Sequence, residues 1–332
     1  MSESYSVADL HNFLQKRGSG ALEKARKLIL SDAFECKVIE EALQYFITEY
    51  WHDYTTPTLI FLACEAVGSN AEHLEDIASA IILINGAIDI HDDIIDLSKQ
   101  KDGRQTIYGK FGKEVALLVG NALFIRGFLK LVESCRSFGP ETTKKVLDTL
   151  KTGFYELGEA EVLELKLRHR LDVNPEEYLK VIYKKAADIE ALMRIGAILG
   201  NANPNDVEML GRLGRIIGLL SIIRDDIIDM TLWKELNHRI KYECLPLPLL
   251  YALNDHVKKV DLIKLLNKRD KRKNEFKKLC QLTQDAKGFE ETLECMGKML
   301  REGQMISNKL QNSSQHLNLI LKSLLMIEEL KI

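Results

Sequence analysis

The sequence predicts an all-α protein. Three observations carry that expectation: only 6 prolines occur in 332 residues, strict period-two alternation is hard to find, and apolar residues recur at three-to-four spacing in almost every window. In chain order, the breaks between helical segments fall at GSNAEH (68–73), SFGPETT (137–143), LDVNPEEY (171–178) and GNANPNDVEM (200–209), where start and stop signals cluster. Asn174 before Pro175, and Asn203 before Pro204, read as caps with proline in the first turn. The segments from about Ala71 to Asp96 and from about Asp206 to Asp229 are apolar around most of their circumference, as central helices are. The run KRDKRKNEFKKL at 268–279 reads as a solvated charged face. None of the breaks is a Gly/Ser-rich or Pro-rich linker, so residues 1–332 are expected to form a single helical domain.

At 46% hydrophobic, the chain has enough apolar side chain for a large core. Lys+Arg 46 against Asp+Glu 49 leaves a net charge of -3, which argues against a nucleic-acid partner. The six cysteines are scattered, with no CxxC pair, and read as reduced thiols. MSESYSVADLHNFLQ lacks the features of a signal peptide, and no uninterrupted apolar run approaches the ~20 residues of a membrane span. The expected location is the cytoplasm.

Two stretches do not fit a plain core. AIDIHDDIIDLSKQKDGRQT, residues 87–106, carries Asp89, Asp92, Asp93 and Asp96 into an apolar run, and IIRDDIIDM, residues 222–230, repeats the pattern with Asp225, Asp226 and Asp229. On a helix, positions i, i+3, i+4 and i+7 share one face. Like charges at that spacing repel, and a helix C-terminus disfavours negative charge, so a cation is expected among them. Hard divalent ions, Mg²⁺ above all, are held by one or two carboxylates and complete their shells with water and phosphate oxygens. Two such clusters facing one another would make a diphosphate-binding device.

IHDDIID at 90–96 and IIRDDIID at 222–229 resemble the two aspartate-rich motifs of the trans-isoprenyl diphosphate synthases, the polyprenyl synthetase family. PTLIFLACEAVG at 57–68 is similar to the helix after that family's GKRxRP segment, and KKAADIEALMRIGAILG at 184–200 to its KTaxL segment, so the resemblance covers most of the chain. It implies one large helical bundle of the isoprenoid synthase type around a central cavity, a homodimer, and three Mg²⁺ ions joining both motifs to an allylic prenyl diphosphate. By the same resemblance Asp92, Asp93, Asp96, Asp225, Asp226 and Asp229 are catalytic, and all but Asp226 are metal ligands. Lys101, at the first arginine of the RRG segment, Lys184, at the lysine of KTaxL, and Arg239, at the lysine that follows the second motif, are implied to bind the substrate diphosphate. Ala87, Ile88 and Ile84 are implied to floor the chain tunnel, and the small Ala87 leaves depth for a C20 or longer chain. The implied chemistry is ionisation: the allylic C–O bond breaks, pyrophosphate leaves, and a carbocation remains in an apolar pocket.

The departures point further. The family binds its acceptor, isopentenyl diphosphate, through four donors whose positions hold Asp53, Thr56, Asn85 and Asp102 here. An aspartate facing a diphosphate costs roughly a few kcal/mol, so the acceptor is expected to bind poorly there. The first expectation is therefore cyclisation of the allylic cation, a lyase activity of the class I terpene synthase kind. The alternative is a chain-elongating prenyltransferase that holds its acceptor by other residues. A non-catalytic subunit of an active synthase is a third reading, opposed by the intact aspartates. A di-iron bundle would want Glu-x-x-His pairs that the motifs lack, and a phosphohydrolase would rest on the single dipeptide His91-Asp92, where His91 is expected to hydrogen-bond at the helix end. Tyr54, Phe61, Phe124, Phe154, Tyr155 and Tyr183 are candidates to line a cation pocket.

Overall fold

A computed structural model describes residues 7–32, 34–101, 103–268, 272–310 and 312–325. The all-α expectation holds among them. The helices are α1 Val7–Leu30, α2 Lys37–Tyr45, α3 Thr55–Ala66, α4 Glu75–Ile95, α5 Ile107–Phe111, α6 Lys113–Cys135, α7 Pro140–Leu167, α8 Pro175–Lys185, α9 Ala187–Leu199, α10 Pro204–Asp229, α11 Trp233–Tyr242, α12 Leu247–Ala252, α13 Lys259–Leu266, α14 Lys273–Asp285, α15 Gly288–Ser307 and α16 Ser314–Ser323. A π-helical turn, Phe46–Tyr50, continues α2. Among the described residues the sheet is one antiparallel hairpin, β1 Gln100–Lys101 with β2 Arg104–Gln105. The two predicted asparagine caps are present: Asn174 Oδ1 accepts from the Glu177 amide at 2.7 Å, and Asn203 Oδ1 from the Asp206 amide at 3.0 Å. The first aspartate helix starts later than the expected Ala71, because a 3₁₀ turn, Glu72–Leu74, precedes it.

The chain divides into two compact units. One comprises Ala8–Thr149 with Leu192–Val207. Its centre is α4, where Ile77, Ile81, Ile84, Ala87 and Ile90 are buried, so this helix is apolar on nearly every side. α6 packs along it, and Gly120 is needed there: a Cβ would meet His91 Nε2 at 2.5 Å. His91 therefore lies against α6, with its Nε2 buried without a hydrogen-bond partner among the described residues. Lys113–Phe138 is long and apolar enough to cross a membrane, by length and composition. The sequence reading passed over it because Asn121, Arg126 and Lys130 interrupt the apolar run.

The other unit comprises Leu150–Ala191 and the described residues from Glu208 onward. α10 is its buried axis, through Leu213, Ile216, Ile217, Leu220 and Ile223. The backbone of α10 comes close to the end of α8 at Gly218, where a Cβ would stand 2.8 Å from that of Ala186.

Candidate active site

The first motif closes α4. Asp89, Asp92 and Asp93 share one face, as the spacing predicts, and that face surrounds a single cation: Lys101 Nζ lies 2.8 Å from Asp93, 3.4 Å from Asp89 and 3.9 Å from Asp92. Asp96 caps the helix and is buried; its amide donates to the Asp92 carbonyl at 2.8 Å. Lys101 reaches the cluster because the hairpin doubles back. Thr106 holds it there, its hydroxyl donating to the Ser98 carbonyl and accepting from the Gly109 amide. Burial pushes the Asp93 carboxyl up to about 7, with Lys101 opposing and Asp89 adding to the rise. Burial likewise raises Asp89. For Lys101 burial favours loss of the proton, but the three carboxylates reverse this and hold its pKa well above the ordinary lysine value.

Beside this cluster opens a cavity of ≈ 550 Å³, lined by His11 and Gln15 of α1, Tyr50 of the π-helical turn, the following Trp51, His52 and Tyr54, Asp89 of α4, and Lys101 and Arg104 of the hairpin. Three of the four residues expected at family donor positions bond to one another: Asp53 Oδ1 accepts from the Thr56 amide at 2.9 Å, and Asn85 Nδ2 donates to Thr56 Oγ1 at 2.8 Å. Burial raises the Asp53 carboxyl. Asp102 lies outside the described residues. Sequence reasoning named Tyr54 and Lys101 but missed His11, Gln15, His52 and Arg104; the signal for Arg104 was an arginine two residues past the missing one. Ala87 and Ile84 are buried on α4 and Ile88 is partly so. Tyr155 and Tyr183, named as possible lining, are exposed.

In the other unit, the second motif divides by role. Asp226 is fully buried and taken up by three donors: Arg239 Nη2 at 2.8 Å, the Tyr178 hydroxyl at 3.1 Å and the Leu247 amide at 2.9 Å. Arg239 also reaches Asp229 at 3.2 Å, Glu243 at 3.1 Å and the Cys244 carbonyl at 3.2 Å. Asp225 is exposed at the surface, yet the chain packed around it and the neighbouring Asp229 raise its carboxyl to about 7, while burial raises Asp226 to about 6 against the pull of Arg239. Lys184 pairs with Glu159 at 2.9 Å. Nearby, burial pushes Asp188 up to about 6, although its Oδ1 accepts from the Ile189 amide. Its native pKa exceeds the unfolded value, so it favours folding fully below pH ~4 and loses that contribution as pH rises through ~6. Asp188→Asn is thus expected to stabilise the protein on the order of 1–3 kcal/mol at pH 8 and not at pH 4, as urea unfolding at the two pH values will check.

The donor chemistry fits Mg²⁺. Among the described residues no three His, Cys, Asp or Glu are already gathered to hold a metal ion, but Mg²⁺ needs only one or two carboxylates beside water and phosphate. Lys101 now stands where a cation is wanted.

The described residues thus form an all-α chain with two aspartate clusters, one paired with Lys101 beside a polar cavity and the other with Arg239. The polyprenyl synthetase family model matches residues 37–283. The chain belongs to that family. The short chain isoprenyl diphosphate synthase of Methanothermobacter thermautotrophicus is 35% identical over 176 residues, 53% of either chain. The geranylgeranyl diphosphate synthase of Methanosarcina mazei is 33% identical over 188 residues, 56% of this chain and 57% of that protein. The chain thus spans about half the length of the curated relatives it matches. The crystal structure of geranylgeranyl pyrophosphate synthetase from Pyrococcus horikoshii superposes with a TM-score of 0.85 at 23% identity, over 96% of this chain and 98% of that one, which shows a shared fold.

Proposed function

We propose that this protein is a Mg²⁺-dependent prenyltransferase that ionises an allylic prenyl diphosphate and joins the resulting cation to isopentenyl diphosphate, lengthening the chain. The observation that carries the reading is the Lys101-centred aspartate cluster opening on a cation-lined cavity. The relatives, named as prenyl diphosphate synthases, favour elongation over the cyclisation that the sequence put first. Asp92, Asp93, Asp96, Asp225 and Asp229 would hold Mg²⁺, three ions in all, which neutralises the departing pyrophosphate when bound. Lys101, Lys184 and Arg239 add positive charge for the same leaving group. The C–O bonding pair leaves with pyrophosphate, the acceptor's double bond attacks the allylic carbon, and a proton is then lost to restore the alkene. Because the family model runs across both compact units, we read residues 1–332 as one functional domain.

Cyclisation is the second reading, favoured by the mutual hydrogen bonds of Asp53, Thr56 and Asn85. Incubation with geranylgeranyl diphosphate and labelled isopentenyl diphosphate separates the two. Label in a longer diphosphate is expected; a hydrocarbon or alcohol from the allylic substrate alone would replace elongation by cyclisation.

Chain length follows from α4. The buried Ala87 leaves depth for a C20 substrate, and the Methanosarcina mazei relative carries geranylgeranyl in its name. Ala87→Phe is expected to move the preference toward farnesyl diphosphate by tenfold or so, since overfilling a packed wall is costly. Product analysis with both substrates tests this, and unchanged selectivity would remove Ala87 from the floor.

For the partner we read a second copy of the chain, seated on α6. Leu118, Ile125 and Leu129, with Leu117 and Phe128 beside them, form an exposed apolar face. A bilayer core suits this helix poorly: Arg126 pairs with Asp32 and Lys130 with Asp76, both ionic. Ile125→Asp with Leu129→Asp is expected to yield a folded monomer in sedimentation. The six free cysteines, three of them buried, support the cytoplasm as location.

A further inference from the structure

We propose that the cavity at the C-terminal end of α4 is a binding site for the acceptor's diphosphate, with Arg104 and His52, aided by His11 and Gln15, standing in for the donors absent at Asp53, Thr56, Asn85 and Asp102. This assignment rests on the elongation reading.

The cavity's chemistry is that of a small organic anion with a short apolar tail. Lys101 and Arg104 face a single carboxylate, Asp89, and Asp89 is already covered by Lys101 at 3.4 Å. Among the described residues of the lining, Lys101 and not Arg104 forms the ion pair with Asp89. Arg104 is held in place: Nη1 donates to the Glu49 carbonyl at 3.0 Å, and its strand is tied down where the Tyr45 hydroxyl donates to the Gln105 carbonyl at 2.7 Å. A guanidinium oriented through one N–H presents the rest of its fork, the geometry that suits phosphate oxygens. The π-helical turn, which carries that Glu49 carbonyl, supplies the adjoining wall. By ending in a wide turn, closed by the Trp51 amide donating to the Phe46 carbonyl at 2.7 Å, it brings His52 to the cavity with Trp51 stacked on Phe46 at 5.5 Å. Tyr50 and Trp51 give the five-carbon tail an apolar surface, and ≈ 550 Å³ lies within the usual range for small-ligand pockets.

The test uses the full chain. In elongation assays Arg104→Gln is expected to raise KM for isopentenyl diphosphate about tenfold or more, with KM for the allylic substrate within twofold of wild type. Arg104→Lys should recover part of the loss. His52→Ala, which leaves the hairpin contacts intact, should raise the same KM and serves if the arginine variant fails to fold. A wild-type KM for isopentenyl diphosphate in both Arg104→Gln and His52→Ala overturns the assignment while leaving elongation standing. If wild type incorporates no label, the elongation reading falls instead, and direct binding decides the site. In a Trp233→Phe background Trp51 is the one tryptophan left of 2, and it reports on this cavity. Saturable change in its emission with isopentenyl diphosphate, weakened about tenfold by Arg104→Gln, supports the site; no change overturns it.

Discussion

Asp92→Ala is expected to cut pyrophosphate release on the order of 10³-fold and to leave the protein folded with an equal or higher melting temperature. Both halves come from the same geometry. Asp92 is one of three carboxylates crowded around Lys101, at 3.9 Å from its Nζ, so three negative charges meet one positive charge before any metal arrives. Like charges one helical turn apart repel, and burial raises the cost of each ionised member. Removing one relieves that repulsion and leaves Lys101 with Asp93 at 2.8 Å. Turnover needs the opposite: several charged oxygens to hold Mg²⁺ against a leaving pyrophosphate. The check is pyrophosphate release from an allylic diphosphate beside a thermal melt. Full activity would remove Asp92 from the metal site; loss of activity with unfolding would make it a structural residue. Asp96→Ala and Asp225→Ala are expected to follow Asp92→Ala.

The first motif was legible because its signal is local. Asp89, Asp92 and Asp93 are brought to one face by helix geometry alone, and Lys101 is the side-chain cation that stands among them. The cavity was not legible. His11, Gln15, Tyr50, His52 and Arg104 come from a helix, a π-helical turn, a loop and a hairpin, and nothing in their spacing says that these meet. Direction on an amphipathic helix was equally hidden: Tyr155 on α7 and Tyr183 on α8 fit a lining by residue type, yet each is exposed. Asp53 and Thr56 were singled out as replaced donors from residue type alone, whereas their mutual bonding with Asn85 depends on α3 lying beside α4. The α6 stretch was missed for a different reason. Polar interruptions hid an apolar helix whose charges are met by Asp32 and Asp76, far away in sequence.

Arg239→Ala should destabilise the protein by about 3–5 kcal/mol, because it strips the cation from a buried cluster and leaves the anions behind. The resemblance assigns Arg239 to the substrate, but its surroundings give it a second task. Its side chain is 13% exposed, and its nitrogens already serve Asp226, Asp229, Glu243 and the Cys244 carbonyl, holding α11 and the following loop against the end of α10. Burial opposes its charge, yet Asp226 and Glu243 prevail and keep the guanidinium protonated well above the ordinary arginine value. Without it, Asp226 keeps only the Tyr178 hydroxyl and the Leu247 amide, two neutral donors for a carboxylate with no exposure. Arg239→Lys should lose roughly half as much, since an ammonium is one point of charge and cannot span three acidic partners as a planar fork does. Urea unfolding without Mg²⁺ isolates this effect from substrate binding. A cluster role predicts a large shift for alanine and a smaller one for lysine in that metal-free measurement. A purely substrate-facing arginine predicts no shift in either variant and a loss confined to turnover, and that result would return Arg239 to the diphosphate alone.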